Sequence, residues 1–504
     1  MAMQTDQLNQ PQGRPGIDSK AANVWWLVLL SLAAIVPLWT VRYPNMCDYP
    51  NHLARWFVLF HMRDAGYHFT SLYAPAWGLL PYISPDILAL ALQYFLPIDV
   101  VGRCILSLCV VSTVLATYFF LKQCCPANVP LASFGILVAL NPMFLMGSIS
   151  YEFSLAFCLL VVGLWVNYCK SPKVVTAVGI VLSLMLVYLT HLMGFLVAGL
   201  AMGVYALFLK ERWKRLGTLA AMSLPALLIF VLNPIRAGGG ASFVYKTLTP
   251  WIKLKYLLFP VRLYTSIRLE LPVLAGFALL IILVLINRRR LVWQPAWLTV
   301  CAILLLIYFA APSDYGLAGA FMDVRFMPFV YVFLVAVVRF DRVPRYLYIC
   351  LALLALLRVA AVEQMFVSRQ PELKQLSASF EVIPRDARVV PLVGLPDKTV
   401  MGRGDLHHME YGVIQRGFLD PALFHLQGVQ PIRLVGSPYC PNIYCDPANE
   451  PANVSGVDWQ QVANSYDYLW VHSDEPEVAA LAARIGDQIY ANDFVAVYRV
   501  RHQP

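Results

Sequence analysis

Apolar stretches of roughly 17 to 25 residues can each cross a bilayer as a helix. Such stretches recur near positions 24–41, 101–121, 129–146, 153–169, 174–190, 194–209, 216–233, 271–287, 293–311, 326–340 and 345–365. The pattern predicts about eleven membrane spans. The charge-poor run from Val174 to Leu209 is too long for one crossing, and "THLMG" at Thr190 is where it turns back. "ISPDILALALQYFLP", from Ile83, is apolar but short and bounded by prolines, so it reads as an amphipathic helix lying in the interface over 83–97.

With that segment in the interface, Lys122, Lys170, Lys173, Lys210 to Arg215, Arg288 to Arg290 and Arg339 to Arg345 all fall on one side. The positive-inside rule makes that side cytoplasmic. The N-terminus is then cytoplasmic, and loops 42–100 and 234–270, the turns near Ser148, His191 and Ser313, and everything after about 366 are extracytoplasmic. Positions 1–20 are polar and read as a disordered cytoplasmic tail. Positions 21–366 form the transmembrane domain. From 367 to 504 the composition changes: "ARVVPLVG", "YDYLWVHS" and "DFVAVYRV" are β-rich runs between Pro, Gly and Asp turns, which predicts a small extracytoplasmic α/β domain.

Composition agrees with a polytopic α-helical membrane protein. Of 504 residues 59% are hydrophobic and 13% charged, with a mean hydropathy of +0.64, too much apolar surface for a soluble chain to hide. The net charge of +9 sits largely in short clusters between apolar runs, which is topology information and not a nucleic-acid patch. Most of the eleven cysteines lie in apolar runs and behave as small hydrophobes. Cys440 and Cys445, in "YCPNIYCDP", could close a small disulfide loop in an oxidising compartment; no second ligand pair completes a zinc signature.

On this topology the unusual ionisable residues gather on the outer side. Asp48, His52 and Arg55 follow the first span in "NMCDYPNHLARW". Their spacing places them on one face if the segment after Pro50 is helical. Asp48 is then a general base or a metal ligand with His52 beside it and Arg55 as an anion contact; equally, Asp48 caps a Pro-initiated interfacial helix while His52 and Arg55 reach to headgroups. Glu152, in "NPMFLMGSISYEFSLAF", is a second acid or a carboxylate at a helix N-terminus. His191 reads as a supporting residue at a tight turn. Arg325, in "GAFMDVRFMPF", pairs with Asp323 or meets a lipid-linked phosphate, and Arg358 reads the same way near the end of the last span. Arg236, Lys246 and Arg262 belong to a middle loop rich in glycine, cations and aromatics that suits an anionic lipid carrier or acidic headgroups. "AGGGA" is not followed by Gly-Lys-Ser/Thr, so nucleotide hydrolysis has no support.

A first span, an outward loop opening on an acid, many spans with short turns and an extracytoplasmic C-terminal domain together resemble the GT-C membrane glycosyltransferases. This superfamily includes protein O-mannosyltransferases, aminoarabinose transferases acting on lipid A, and oligosaccharyltransferases. "DYPNHLARWFVLFHM", "NPMFLMGSISYEFSLAF" and "DVRFMPFVYVFLVA" look like segments of bacterial GT-C-like proteins. The resemblance implies an inner-membrane enzyme that moves a sugar from a polyprenyl-phosphate carrier to a lipid, polysaccharide or protein acceptor, with Asp48 as the base. Tyr49 stands where several members have a second acid, which favours the base role over a divalent metal while leaving a metal admissible. Inversion at the anomeric centre needs one carboxylate; retention would need a second, for which Glu152 is the candidate. The alternatives are a transporter or flippase of a lipid-linked saccharide, or a non-catalytic assembly subunit. The mid-span positions are nearly all apolar and no internal repeat is evident, unlike the usual transporter pattern.

Overall fold

In the computed structural model, the described residues are 17–232, 243–244, 250–264, 266–315, 321–394, 403–426, 428–436, 439, 457–473 and 476–502. The chain is mostly helical, with a small strand-containing C-terminal region, as the apolar periodicity requires. α1 (Ile17–Thr40) leads to the short α2 (Tyr49–Phe60), strand β1 (Tyr73–Pro75), α3 (Ser84–Gln93) and the long α4 (Ile98–Cys124). The segment expected to be one span at 129–146 is instead broken into α5 (Phe134–Ala139) and α6 (Pro142–Met146). The break has a local cause: Asn141 caps α6 by accepting the Met143 amide (2.7 Å), Pro142 fills the first turn, and Gly147 ends it at φ +93°.

α7 (Ile149–Lys170) is buried along most of its length. α8 (Val174–Thr190) and α9 (Leu192–Leu207) are two short apolar helices that divide the long apolar run, and α10 (Arg212–Leu232) follows. Beyond lie β2 (Phe243–Val244), α11 (Pro250–Tyr256), α12 (Ile267–Ile286), β3 (Leu291–Trp293), α13 (Pro295–Ala310), β4 (Asp314–Tyr315), α14 (Phe326–Val337), β5 (Val338–Phe340) and α15 (Arg345–Ala378). Among the described helices five are long and apolar enough to cross a membrane, and six stretches of 10–17 residues are shorter but apolar. Leu228, Val231 and Leu232 on α10 and Ile282, Leu285 and Ile286 on α12 are more than half exposed, an apolar surface that lipid would cover.

The C-terminal region contributes β6 (Val389–Gly394), α16 (Glu410–Arg416), β7 (Ile432–Leu434), α17 (Trp459–Ser465), β8 (Tyr468–Ser473), α18 (Pro476–Ile485), β9 (Gly486–Ala491) and β10 (Ala496–Val500). Its sheet has the order β6-β8-β10-β9, with β6 parallel to β8 and β10 antiparallel to both neighbours. This region is knitted to the bundle. β7 pairs antiparallel with β1, Tyr73 opposite Leu434 and Pro75 opposite Ile432. One continuous apolar core runs from Leu27 in α1 to Val497 in β10. α15 extends past the expected boundary at 366 and carries the chain from the bundle into the domain.

Polar fastenings separate two ends of the bundle. At one end β3 pairs with β5, and Asn128 donates to the carbonyls of Val335 (2.9 Å) and Val338 (2.6 Å). At the other, β2 pairs with β4, and the fully buried Arg358 donates to the carbonyls of Val261 (2.8 Å), Leu140 (2.5 Å) and Arg262 (2.8 Å). The second end, where α2 and the C-terminal domain meet, carries Asp48.

Candidate active site

Asp48 occupies the position before α2, yet its side chain makes no capping hydrogen bond. Its backbone does the positioning: the Asp48 amide donates to Met146 O (2.7 Å), so the residue sits on the end of α6. Gly147 is required there, because a Cβ would lie 2.6 Å from the Tyr49 nitrogen and 3.1 Å from that of Asp48. The carboxylate is half-buried beside Cys47 and His407; the ligating atoms of these three residues lie within 4.8 Å of one another. Burial pushes the Asp48 carboxyl above its ordinary pKa, against the opposing pull of His407, the Cys47 hydrogen bond and Arg325.

His407 was not singled out in the sequence, and it comes from 359 positions away in the chain. Its Nδ1 lies 2.7 Å from Glu410 Oε1. Asn51, fully buried on α2, ties the two segments together: Nδ2 donates to Glu410 Oε1 (2.8 Å) and Ala422 O (3.0 Å), and Oδ1 accepts the Phe424 amide (2.7 Å). Burial lowers the His407 pKa, with Asp48 and Asp420 opposing it, and raises that of Glu410. The sequence signal that marks this element is "DLHHME", with an acid, two histidines and a second acid at Asp405, His407, His408 and Glu410. Asp405 and His408 serve the fold: Asp405 accepts from Arg403 and lies 2.8 Å from His472 Nε2, and His408 Nε2 meets Ser377 Oγ at 2.8 Å.

A second group is built around Arg325, whose charge acts on Asp48. Arg325 Nη1 is 3.4 Å from His191 Nε2, the guanidinium lies over the Tyr151 ring, and the Tyr151 hydroxyl donates to Arg325 O (2.6 Å). The Tyr82 ring meets His191 edge-on at 4.5 Å. Asp48 is thus grouped with an imidazole from the C-terminal domain, and the charge of the Arg325 guanidinium at the start of α14 also acts on it.

Several expected anion contacts are committed elsewhere. Arg55 is buried against Asp86 of α3, with Nε at 2.8 Å from Oδ1, and its Nη2 is 3.0 Å from His52 Nδ1; Trp56 donates to the same carboxylate oxygen (3.0 Å). Arg262 donates through Nε (3.0 Å) and Nη2 (2.7 Å) to Glu270 Oε2. Arg358 is the carbonyl clasp described above. Asp323 faces Lys253 at 3.5 Å and does not form the expected pair with Arg325. Desolvation explains the pattern, since a buried guanidinium or carboxylate is held only where partners meet it. Glu152 is buried on α7 and accepts from Asn141 Nδ2 (2.8 Å), which fastens α7 to the break before α6. His52 is half-buried, with Phe424 packed edge-on at 5.5 Å. Arg236, Lys246, Cys440 and Cys445 lie outside the described residues.

Cys47, Asp48 and His407 are the residues that could hold a divalent cation: thiol, carboxylate and imidazole are grouped, and Glu410 orients the imidazole from behind. Glu372, Asp405 and His472 are also close together, but Arg403 takes both Asp405 oxygens and both ring nitrogens of His472 are engaged, so that cluster is an ion-pair network.

The fold is the GT-C membrane fold that the sequence led us to expect. Among solved structures, ArnT from Cupriavidus metallidurans bound to undecaprenyl phosphate superposes with a TM-score of 0.51 at 12% identity over 94% of this chain and 97% of that one. The apo state of the same protein gives 0.51 at 10% identity over 95% and 98%. No family profile and no curated protein matches the chain.

Proposed function

We propose that this protein is a glycosyltransferase that moves a sugar from a polyprenyl-phosphate carrier to a hydroxyl acceptor on a lipid, polysaccharide or protein, on the extracytoplasmic side of a bacterial inner membrane. The observation that carries the proposal is the position of Asp48: a half-buried carboxylate that caps no helix, grouped with Cys47 and His407 and acted on by the charge of Arg325. The ArnT-like fold supports it, since the ArnT structure holds undecaprenyl phosphate.

A glycosyl phosphate carries its own leaving group, so the protein must supply a base for the acceptor and a cation for the departing phosphate. Asp48 takes the acceptor's hydroxyl proton, and the freed oxygen attacks the anomeric carbon. The C–O bond to phosphate breaks and its electron pair leaves with the carrier phosphate, beside Arg325. A single attack of this kind inverts the anomeric centre. Burial raises the Asp48 pKa and so strengthens it as a base. If a divalent ion binds, Cys47, Asp48 and His407 would hold it, and its charge would help orient the substrates.

Envelope glycans and lipid-linked sugars compared between cells with and without the gene test this reading. Loss of one sugar from the envelope, with accumulation of its polyprenyl-phosphate form, is expected. Unchanged glycans and unchanged carrier pools would reject it.

A further inference from the structure

We infer that His191 is a fixed, neutral hydrogen-bond donor which, together with Arg325 and Tyr82, receives the phosphate of the lipid-linked donor. This rests on the glycosyltransferase reading above and adds to it the residue that completes the anion receptor.

His191 precedes α9 and caps it: the Met193 backbone amide donates to Nδ1 at 3.2 Å. A backbone amide only donates, so Nδ1 presents its lone pair. A neutral imidazole has one N–H, which must then sit on Nε2. That nitrogen faces Arg325 Nη1 at 3.4 Å, and arginine also only donates. The separation is longer than the roughly 2.7–2.9 Å of a charge-assisted hydrogen bond. The two groups are therefore a pair of donors brought side by side, and what satisfies both is an acceptor from outside.

Three further features agree. Arg325 Nε is buried and has no hydrogen-bond partner among the described residues. Tyr82 is held at φ +76°, a conformation that a bulky side chain adopts only under constraint, with its ring edge-on to His191. The constraint is visible: Ser150 Oγ donates to Tyr82 O (3.3 Å), and Ser84 Oγ meets Thr190 Oγ1 at 2.8 Å, pinning the start of α3 to the end of α8 beside His191. Phosphate oxygens only accept, so they match a set made of imidazole N–H, guanidinium and phenol. The charges of Asp48, Asp314 and Glu152 all act on Arg325, so the base and the anion receptor belong to one electrostatic neighbourhood.

Two substitutions separate donation from capping. His191→Asn keeps an acceptor at the cap position and loses the Nε2–H; His191→Gln puts an amide N–H near the Nε2 position and gives up the cap. The probe is undecaprenyl phosphate binding to the purified full chain in detergent, with undecaprenol as the neutral control and thermal unfolding recorded for each variant. Expected is wild-type unfolding for His191→Asn with a dissociation constant for undecaprenyl phosphate about tenfold weaker, the loss of one hydrogen bond to a charged group, and near-wild-type affinity for His191→Gln. Wild-type affinity in His191→Asn would overturn the inference. Should His191→Asn fail to fold, His191→Gln decides: retained affinity supports the inference and lost affinity rejects it. A wild-type protein that does not distinguish undecaprenyl phosphate from undecaprenol would instead reject the glycosyltransferase reading itself.

Discussion

Replacing Asn51 by leucine tests whether the C-terminal domain is built into the site or merely rests on it. Asn51 is fully buried and joins α2 to three groups of the 410–424 segment: the Glu410 carboxylate, the Ala422 carbonyl and the Phe424 amide. Leucine is close in volume, so the core is neither emptied nor overfilled, and the loss is polar. Two neutral bonds at about 1 kcal/mol each and one to a carboxyl group at about 1.5–3 kcal/mol give about 3.5–5 kcal/mol, with the buried partners left unsatisfied. The loss falls on the docking of 403–425, so that segment should open before the bundle does. Limited proteolysis of the detergent-solubilised protein should cut within it, alongside a lowered melting temperature. Cleavage and melting indistinguishable from wild type would refute the claim that Asn51 locks the domain in place.

Three other expectations follow from the same geometry. Gly147→Ala must hold alanine at φ +93°, at about 1–2 kcal/mol, and push a Cβ into the backbone at Tyr49; sugar transfer should fall more than melting temperature, and wild-type transfer would show that Asp48 is not placed by this contact. Arg55→Met leaves Asp86 buried without its ion pair and should cost about 3–5 kcal/mol in thermal unfolding, most of it recovered in R55M/D86L; a double variant no better than the single one would contradict this. Protection against hydrogen exchange at β8 and 403–412, corrected for the intrinsic pH dependence of exchange, should be highest between about pH 4 and 6.5. Although burial alone would raise the Asp405 pKa, His472 and Arg403 hold it low, so its contribution is present above the unfolded value and lost as pH falls. Burial lowers the His472 pKa but Asp405 raises it overall, so its contribution is complete below about pH 6.5 and lost as pH rises through its folded value. Protection that does not vary with pH would contradict the ion-pair account.

Apolar helices were legible where length and apolarity act alone, as in α4, α7 and the divided pair α8 and α9. The break between α5 and α6 was written in Asn141-Pro142 and Gly147, but a run of apolar neighbours concealed it. Asp48 draws attention in the sequence because an acid just beyond an apolar span is costly without a use, and the structure groups it with Cys47 and His407. His407 and Glu410 were not, because nothing local links them to α2 across more than 350 positions. Arg55, Arg262 and Arg358 show the converse error. Each looks like an anion contact in the sequence, and each is satisfied inside the protein, by Asp86, by Glu270 and by three backbone carbonyls, partners that only the packing of distant helices supplies.

Asp48→Asn isolates the base, because asparagine keeps the shape of the side chain and removes its basicity. The variant expressed in cells lacking the native gene should reach wild-type levels in the membrane, fail to restore the missing envelope sugar and leave its polyprenyl-phosphate form accumulated. Full restoration of the glycan by Asp48→Asn at normal protein level would contradict the assignment of Asp48 as the base.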